Sequence, residues 1–324
     1  MVRVIAEAGV NHNGDREMAF QLVKVAADSG ADAVKFQTFN AERLAALTAP
    51  KAKYQQATTD ALESQFAMLK KLELPSEWHV ELQRYANDLG ITFISTAFDL
   101  QSLAFLQTLE LPYFKIPSGE ITNGPLLLAF AQTGKELIIS TGMATLSEIE
   151  QALAVVAYGY AHQGEPESLE QIWRFWSKPG VQASLEGKVS LLHCTSQYPT
   201  PMEEVNLKAM GTLANAFGLP VGYSDHTQGL VIPTAAVALG ATIIEKHFTL
   251  DRNLPGPDHK ASLEPDELVE LVTNIRDIEQ ALGDGIKKPQ PSEWDTRGAA
   301  RQQLMFCETV RKGERIKRQA LSTA

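Results

Sequence analysis

The sequence predicts an α/β fold of the (β/α)8 TIM-barrel class, and three observations predict it. Short β-branched runs alternate with longer amphipathic stretches through most of the 324 residues. The runs are close to continuously apolar, as strands of a parallel sheet covered on both faces must be. The runs number eight, and eight strand–helix units over about 250 residues match a closed barrel. An open doubly wound sheet is the alternative. It would carry a glycine-rich dinucleotide loop after the first strand, and GVNHNG (9–14) is not GxGxxG.

The predicted strands are VRVIAEA (2–8), DAVKFQT (32–38), ITFISTA (91–97) and PYFKIPS (112–118). They continue with ELIISTG (136–142), VSLLHCT (189–195), LPVGYSDH (219–226) and ATIIEKHF (241–248). Three- and four-residue apolar spacing predicts helices in EMAFQLVKVAADSG (17–30), SEWHVELQRYANDLG (76–90) and LQSLAFLQTLE (100–110). The same spacing recurs in SEIEQALAVVAYGYA (147–161), EEVNLKAMGTLANAFG (203–218), GLVIPTAAVALG (229–240) and PDELVELVTNIRDIEQALG (265–283). Gly30, Gly90, Gly240 and Gly283 end such stretches, as a left-handed cap requires.

Two segments break the rhythm. Residues 39–75 make a long excursion after the second strand, with a helix expected in ALESQFAMLKKL (61–72). Residues 159–187 form an insert before the sixth strand, where Trp173, Phe175 and Trp176 suit either a partner surface or a small packing cluster. The organisation expected is therefore a barrel over 1–283 with that insert, a linker at 284–296, and a basic segment over 297–324.

Composition narrows the function. The net charge of −10 argues against a general binder of nucleic acid or anionic membrane, though local lysines can still receive a small anion. Cys194 and Cys307 make no disulfide framework, the N-terminus lacks a secretory pattern, and no apolar run reaches membrane-spanning length. A soluble enzyme of the reducing cytoplasm fits these features.

In a parallel barrel the reactive groups gather at the C-terminal ends of the strands. Those ends carry Glu7, Asn11 and His12; Lys35 and Gln37; Thr96; Lys115, Ser118 and Glu120; Ser140 and Thr141. The later ends carry Thr195, Ser196 and Tyr198, then Ser224 and His226, then Glu245 and His247. Residues i and i+2 of a strand face the same way, so Lys35 joins Gln37, Ser224 joins His226, and Glu245 joins His247. Asp225 and Lys246 then point away from the mouth. A lone histidine is usually a hydrogen-bonded core residue; two on adjacent strand ends, with oxygen donors nearby, suit a divalent metal. Lys35 and Lys115, with the hydroxyls of Thr96, Ser118, Ser140 and Ser224, suit a phosphate or carboxylate. Each lysine could instead pair with Glu7 or Glu120.

The motifs AEAGVNHNGD, GADAVKFQTF, FISTAFD, YFKIPSGEITN, IISTGMAT, LLHCTSQYPTP, GYSDHT, IIEKHFTLDR and PGPDHKAS, in this order, resemble the sialic acid synthase family over roughly residues 3–282. The resemblance implies a barrel that condenses phosphoenolpyruvate with N-acetylmannosamine or a close amino sugar, releasing phosphate. It implies a divalent metal, Mn²⁺ with Mg²⁺ or Co²⁺ as alternatives, held by His226 and His247, and a homodimer. Lys35, Thr96, Lys115, Ser118, Ser140 and Ser224 match the phosphoenolpyruvate positions. Glu7, Gln37, Tyr198 and Asp258 match positions that hold the sugar, Phe98 packs beside it, and Glu120 is an acid–base candidate. Ser196 stands where relatives often carry another residue and is counted with the substrate-binding set. RQQLMFCETVRKGERI (301–316) resembles only the opening of an antifreeze-like domain, so weaker sugar binding than in a full-length relative is expected. Two further readings are a legionaminic acid-type synthase using a 2,4-diacetamido-trideoxy sugar, and a non-catalytic barrel that binds sugar or phosphate.

Overall fold

The computed structural model describes residues 1–324 apart from 48, 53, 54, 57, 58 and 60–62. It divides into two units, Met1–Ala281 and Leu282–Ala324. The first is a (β/α)8 barrel of eight parallel strands: β1 (Arg3–Gly9), β2 (Ala33–Thr38), β3 (Thr92–Ala97), β4 (Tyr113–Ile116), β5 (Glu136–Ser140), β6 (Val189–His193), β7 (Val221–Asp225) and β8 (Ile243–His247). Hydrogen bonding runs in the order β3-β2-β1-β8-β7-β6-β5-β4, and β3 and β4 lie side by side at the remaining seam.

Two apolar layers hold this barrel. Val4, Ala6, Val34, Phe36, Phe93, Phe114, Leu137, Ile139, Leu191, Tyr223 and Ile244 face outward into the helices. The opposite faces meet inside the barrel as a plug of Ile5, Ala33, Ile94, Tyr113, Ile138, Leu192 and Ile243. Strand alternation fixes what lies above the plug. Two residues on from each plug residue stand Glu7, Lys35, Thr96, Lys115, Ser140, Cys194 and Glu245. On β7 the corresponding pair is Gly222 and Ser224. Gly222 is glycine because a Cβ there would come within 2.4 Å of the Ile243 carbonyl oxygen and 2.7 Å of Leu192 Cδ2.

Helices follow the strands where the apolar spacing places them, with informative exceptions. The stretch 203–218 is helical only over Ala209–Phe217, after a short turn at Met202–Glu204, because Asn206 takes a left-handed φ of 49°. A helix at Gly124–Gln132 (GPLLLAFAQ) follows β4. Its apolar residues run almost all round, so no periodic stripe announces it. In the excursion after β2, the helix spans Gln65–Lys71 with Ser64 as its N-cap; Ala61 and Leu62 lie outside the described residues. Gly30, Gly90, Gly240 and Gly283 all have positive φ after their helices.

The insert forms a helix, Leu169–Trp176, that packs on the barrel's helical layer. Phe175 meets the rings of Tyr158 and His162 edge-on, and Trp176 is buried with its indole N–H donating to Glu150 at 3.2 Å. Trp173 alone of the three is exposed, so most of this aromatic group is packing. The second unit contains a helix, Trp294–Ala300, and an antiparallel pair, Leu304–Phe306 with Leu321–Thr323. Among the described residues no helix is long and apolar enough to cross a membrane.

Candidate active site

The row above the plug and the next residues outward line one cavity of about 450 Å³ at the C-terminal mouth of the barrel. All but one of the residues matched to substrate, metal or catalysis reach it: Glu7, Lys35, Gln37, Thr96, Phe98, Lys115, Ser118, Ser140, Ser196, Tyr198, Ser224, His226, His247 and Asp258. Glu120 does not. It ends a short turn, Ser118–Glu120, that points its carboxylate toward the next helix, where it accepts from Asn123 Nδ2 at 2.7 Å. The acid–base role expected of Glu120 finds no support in this position; the carboxylates that line the cavity are Glu7, Glu245 and Asp258. Asn11 and His12 also stay out of the lining. Asn11 ties Phe248 O and Ser262 Oγ together, and His12 Nδ1 accepts from the Gly14 amide.

Glu245 organises the charge at the floor. Its Oε1 lies 3.1 Å from Lys115 Nζ and accepts from Ser224 Oγ at 2.8 Å, while Oε2 lies 3.7 Å from Lys35 Nζ. Lys35 in turn stands 2.7 Å from Glu7 Oε2 and donates to Thr96 Oγ1 at 3.2 Å. Gln37 Nε2 donates to the other oxygen of Glu7 at 3.2 Å. Strand register produces these contacts, since Glu7 is paired with both Lys35 and His247, and Ser224 with Glu245. Burial opposes ionisation of Glu245, but Lys115 and Lys35 outweigh it and hold the carboxylate below its ordinary range. Glu7 goes the other way: burial raises it, and Lys35 offsets only part of that, with Glu245 adding repulsion. Asp258 is pushed up to about 7 by burial and then by Glu7. One carboxylate is thus firmly charged and two resist charging.

A patch of small polar groups adjoins Lys115. Ser118 Oγ accepts from the Gly142 amide at 2.9 Å and lies 3.2 Å from Cys194 Sγ. Ser140 Oγ is buried and has no hydrogen-bond partner among the described residues. A buried hydroxyl with no partner is costly, and an anion's oxygen would satisfy it. Gly142 keeps this patch open, because a Cβ there would fall 2.5 Å from Ser196 Oγ and 2.8 Å from Ser118 Oγ.

His226 and His247 face each other with ring centroids 5.7 Å apart, and Tyr198 packs on both at 4.1 and 5.7 Å. His226 Nδ1 donates to the Thr195 carbonyl at 2.7 Å, which leaves Nε2 with its lone pair. Burial holds His226 down at about 4 and, with His226 beside it, keeps His247 well below the ordinary range. His247 Nδ1 is buried with no hydrogen-bond partner among the described residues. Two neutral imidazoles with ligand-capable nitrogens fit a divalent cation. Among the described residues no three His, Cys, Asp or Glu side chains form a ready cage, so water and substrate would complete the shell.

Two central residues escape the sequence reading. Glu245 is assigned to the mouth by alternation without a role, and Cys194 is treated only as a sign of compartment. The i+2 rule from Leu192 would have found Cys194. Asp225 and Lys246 do point away, and they form a buried pair 2.6 Å apart between β7 and β8.

A barrel mouth that gathers two lysines, two neutral imidazoles and carboxylates of opposed protonation tendency has the make-up of an enzyme's active site. Comparison with known proteins makes this particular: the NeuB family profile matches residues 22–287, and the chain belongs to the NeuB family. It is 51% identical over 311 residues to the N,N'-diacetyllegionaminic acid synthase of Campylobacter jejuni subsp. jejuni serotype O:2, covering 96% of this chain and 86% of that one. It is 49% identical to the enzyme of the same name from Legionella pneumophila, covering 98% and 83%. Among solved structures, the N-acetylneuraminic acid (sialic acid) synthetase of Leptospira borgpetersenii, in complex with citrate, aligns with a TM-score of 0.73 at 36% identity, covering 92% and 90%.

Proposed function

We propose that the chain condenses phosphoenolpyruvate with a 2,4-diacetamido-trideoxy sugar to give a legionaminic acid-type nonulosonate and inorganic phosphate. The observation that carries the reaction is the single cavity joining Lys35, Lys115 and an unpartnered Ser140 hydroxyl to Glu7, Gln37 and the two imidazoles. The acceptor is supported by identity: two legionaminic acid synthases, at 51% and 49%, stand above the sialic acid synthetase at 36%. N-acetylmannosamine, the acceptor first expected, becomes the comparison substrate.

The donor's carboxylate and phosphate sit between Lys35, Lys115 and the hydroxyls of Thr96, Ser118 and Ser140, which complement the leaving phosphate oxygens. Gln37 and Asp258 orient the acceptor, so that the enol carbon meets the aldehyde carbon of the open-chain sugar. A C–C bond forms there, water adds to the electron-poor carbon that bears phosphate, and the C–O bond breaks to release phosphate. Glu7, whose charged form burial disfavours, exchanges the proton on the acceptor side. His226 and His247 would hold a divalent cation, Mn²⁺ with Mg²⁺ or Co²⁺ as alternatives, which when bound supplies Lewis-acid polarisation of the aldehyde.

Phosphate release from phosphoenolpyruvate, measured with each sugar in Mn²⁺ and in chelator, tests this. The diacetamido sugar should give metal-dependent release well above N-acetylmannosamine. His226→Ala or His247→Ala should lower it beyond the about 10–100-fold that loss of an outer-shell partner costs. Preference for N-acetylmannosamine would restore the sialic acid reading. Phosphoenolpyruvate and metal binding without release for any sugar would mean a non-catalytic barrel.

A further inference from the structure

The excursion after β2 brings an apolar wall to a cavity whose floor is ionic. Val10, Phe39, Met68 and Leu72 form a cluster separate from both barrel layers, with Leu44, Leu69 and Phe98 packed against it. The same side chains line the cavity. Strand alternation gives their height: Phe39 follows Gln37 by two residues, as Gln37 follows Lys35. On the β1–β3 side the cavity therefore rises from the Glu7–Lys35 pair, through Gln37, to these apolar side chains, with Gln55 and Gln65 among them. On the β4–β6 side Ser118, Ser140, Cys194 and Ser196 line it together with Lys115, Pro117 and Met143, a more polar mixture.

The wall is braced from its outer side. Glu73 accepts from the Ala41 amide at 2.7 Å, and Glu63 pairs with Lys71 at 2.6 Å and with buried Lys51 at 3.5 Å. Fixed in this way, the helix Gln65–Lys71 turns Met68 toward the cavity rather than into the barrel core. A phosphate or carboxylate gains nothing from such a surface, whereas methyl groups of a sugar do.

We propose that Phe39, Met68 and Leu72 form the subsite for the apolar substituents of the acceptor, above all a C6 methyl, and so select a 6-deoxy sugar over one with a C6 hydroxymethyl. This rests on the synthase reading above and names what sets its acceptor preference. An apolar site rejects an added hydroxyl only modestly, so the preference has a ceiling of about 100-fold.

The test compares N-acetylmannosamine with its 6-deoxy analogue, at saturating phosphoenolpyruvate and Mn²⁺, in the full chain. The unmodified enzyme should favour the deoxy sugar by about 10- to 100-fold in kcat/KM. Met68→Gln and Leu72→Gln should shrink that ratio through the acceptor KM while the phosphoenolpyruvate KM stays put, and Met68→Leu should keep it. Equal use of the two sugars by the unmodified enzyme overturns the assignment without any variant. So does a variant that slows both sugars alike, which would mark the wall as packing. Absence of turnover with every acceptor would instead bring down the synthase reading, and the subsite with it.

Discussion

Asp258 reaches the cavity from the loop after β8 with its carboxyl pushed up to about 7, while an unfolded chain would titrate it near 3.9. Between those values the folded state holds the proton that the unfolded state has lost. Its stabilising contribution is therefore complete below pH of about 4 and is lost as pH rises toward 7, at most about 1.4 kcal/mol for each pH unit. Asp258→Asn, which cannot ionise, should gain stability over the parent through this window. Thermal melting of the ligand-free proteins at pH 5 and pH 8 measures it, and a constant difference would contradict the burial argument. Gly142 makes a geometric prediction at the same scale. Gly142→Ala puts a methyl among Ser118, Ser196 and Cys194, so the phosphoenolpyruvate KM should rise by about tenfold or more, with the acceptor KM little changed.

At the scale of elements, β7 and β8 are joined by charge as well as by their ladder. Lys246 Nζ lies 2.6 Å from Asp225 Oδ2 and also donates to the Thr227 carbonyl, with both side chains fully buried. Removing one partner leaves the other charge without water. Lys246→Met should therefore cost about 3–5 kcal/mol in denaturant unfolding, and adding Asp225→Asn should return part of it. A cost below 1 kcal/mol would mean that the pair is hydrated in solution. The strands themselves were legible because seven of the eight inner faces combine an apolar plug residue with a functional residue two places on. The helix Gly124–Gln132 was less so, since an element buried nearly all round has no stripe. The position of Glu120 was hidden for a related reason: a motif lists neighbours along the chain, and across the turn at Ser118–Glu120 the first side chain lines the cavity while the last bonds to Asn123.

For the molecule as a whole, a net charge of −10 coexists with a cavity lined by Lys35 and Lys115. The overall sign acts at long range and is screened by salt, whereas Lys35 and Lys115 act at contact distance in a buried site. Phosphoenolpyruvate alone, at about 100 times its Kd, should stabilise the fold by about 2.7 kcal/mol and raise Tm. Lys115→Met should lose most of that rise, and an equal shift in the variant would refute the anion assignment. What the sequence determined by itself was the barrel and the facing of each strand, because strand periodicity is local and eight apolar runs have few ways to be covered. It also named most of the cavity, since a parallel barrel brings every strand end to one mouth. Only the tertiary structure decided that Glu245 is shared by both lysines, that Asp258 and Glu7 resist ionisation together, and that Met68, Leu69 and Leu72 face the cavity. Those facts depend on distances and dehydration among groups far apart in the chain, which no spacing along it encodes.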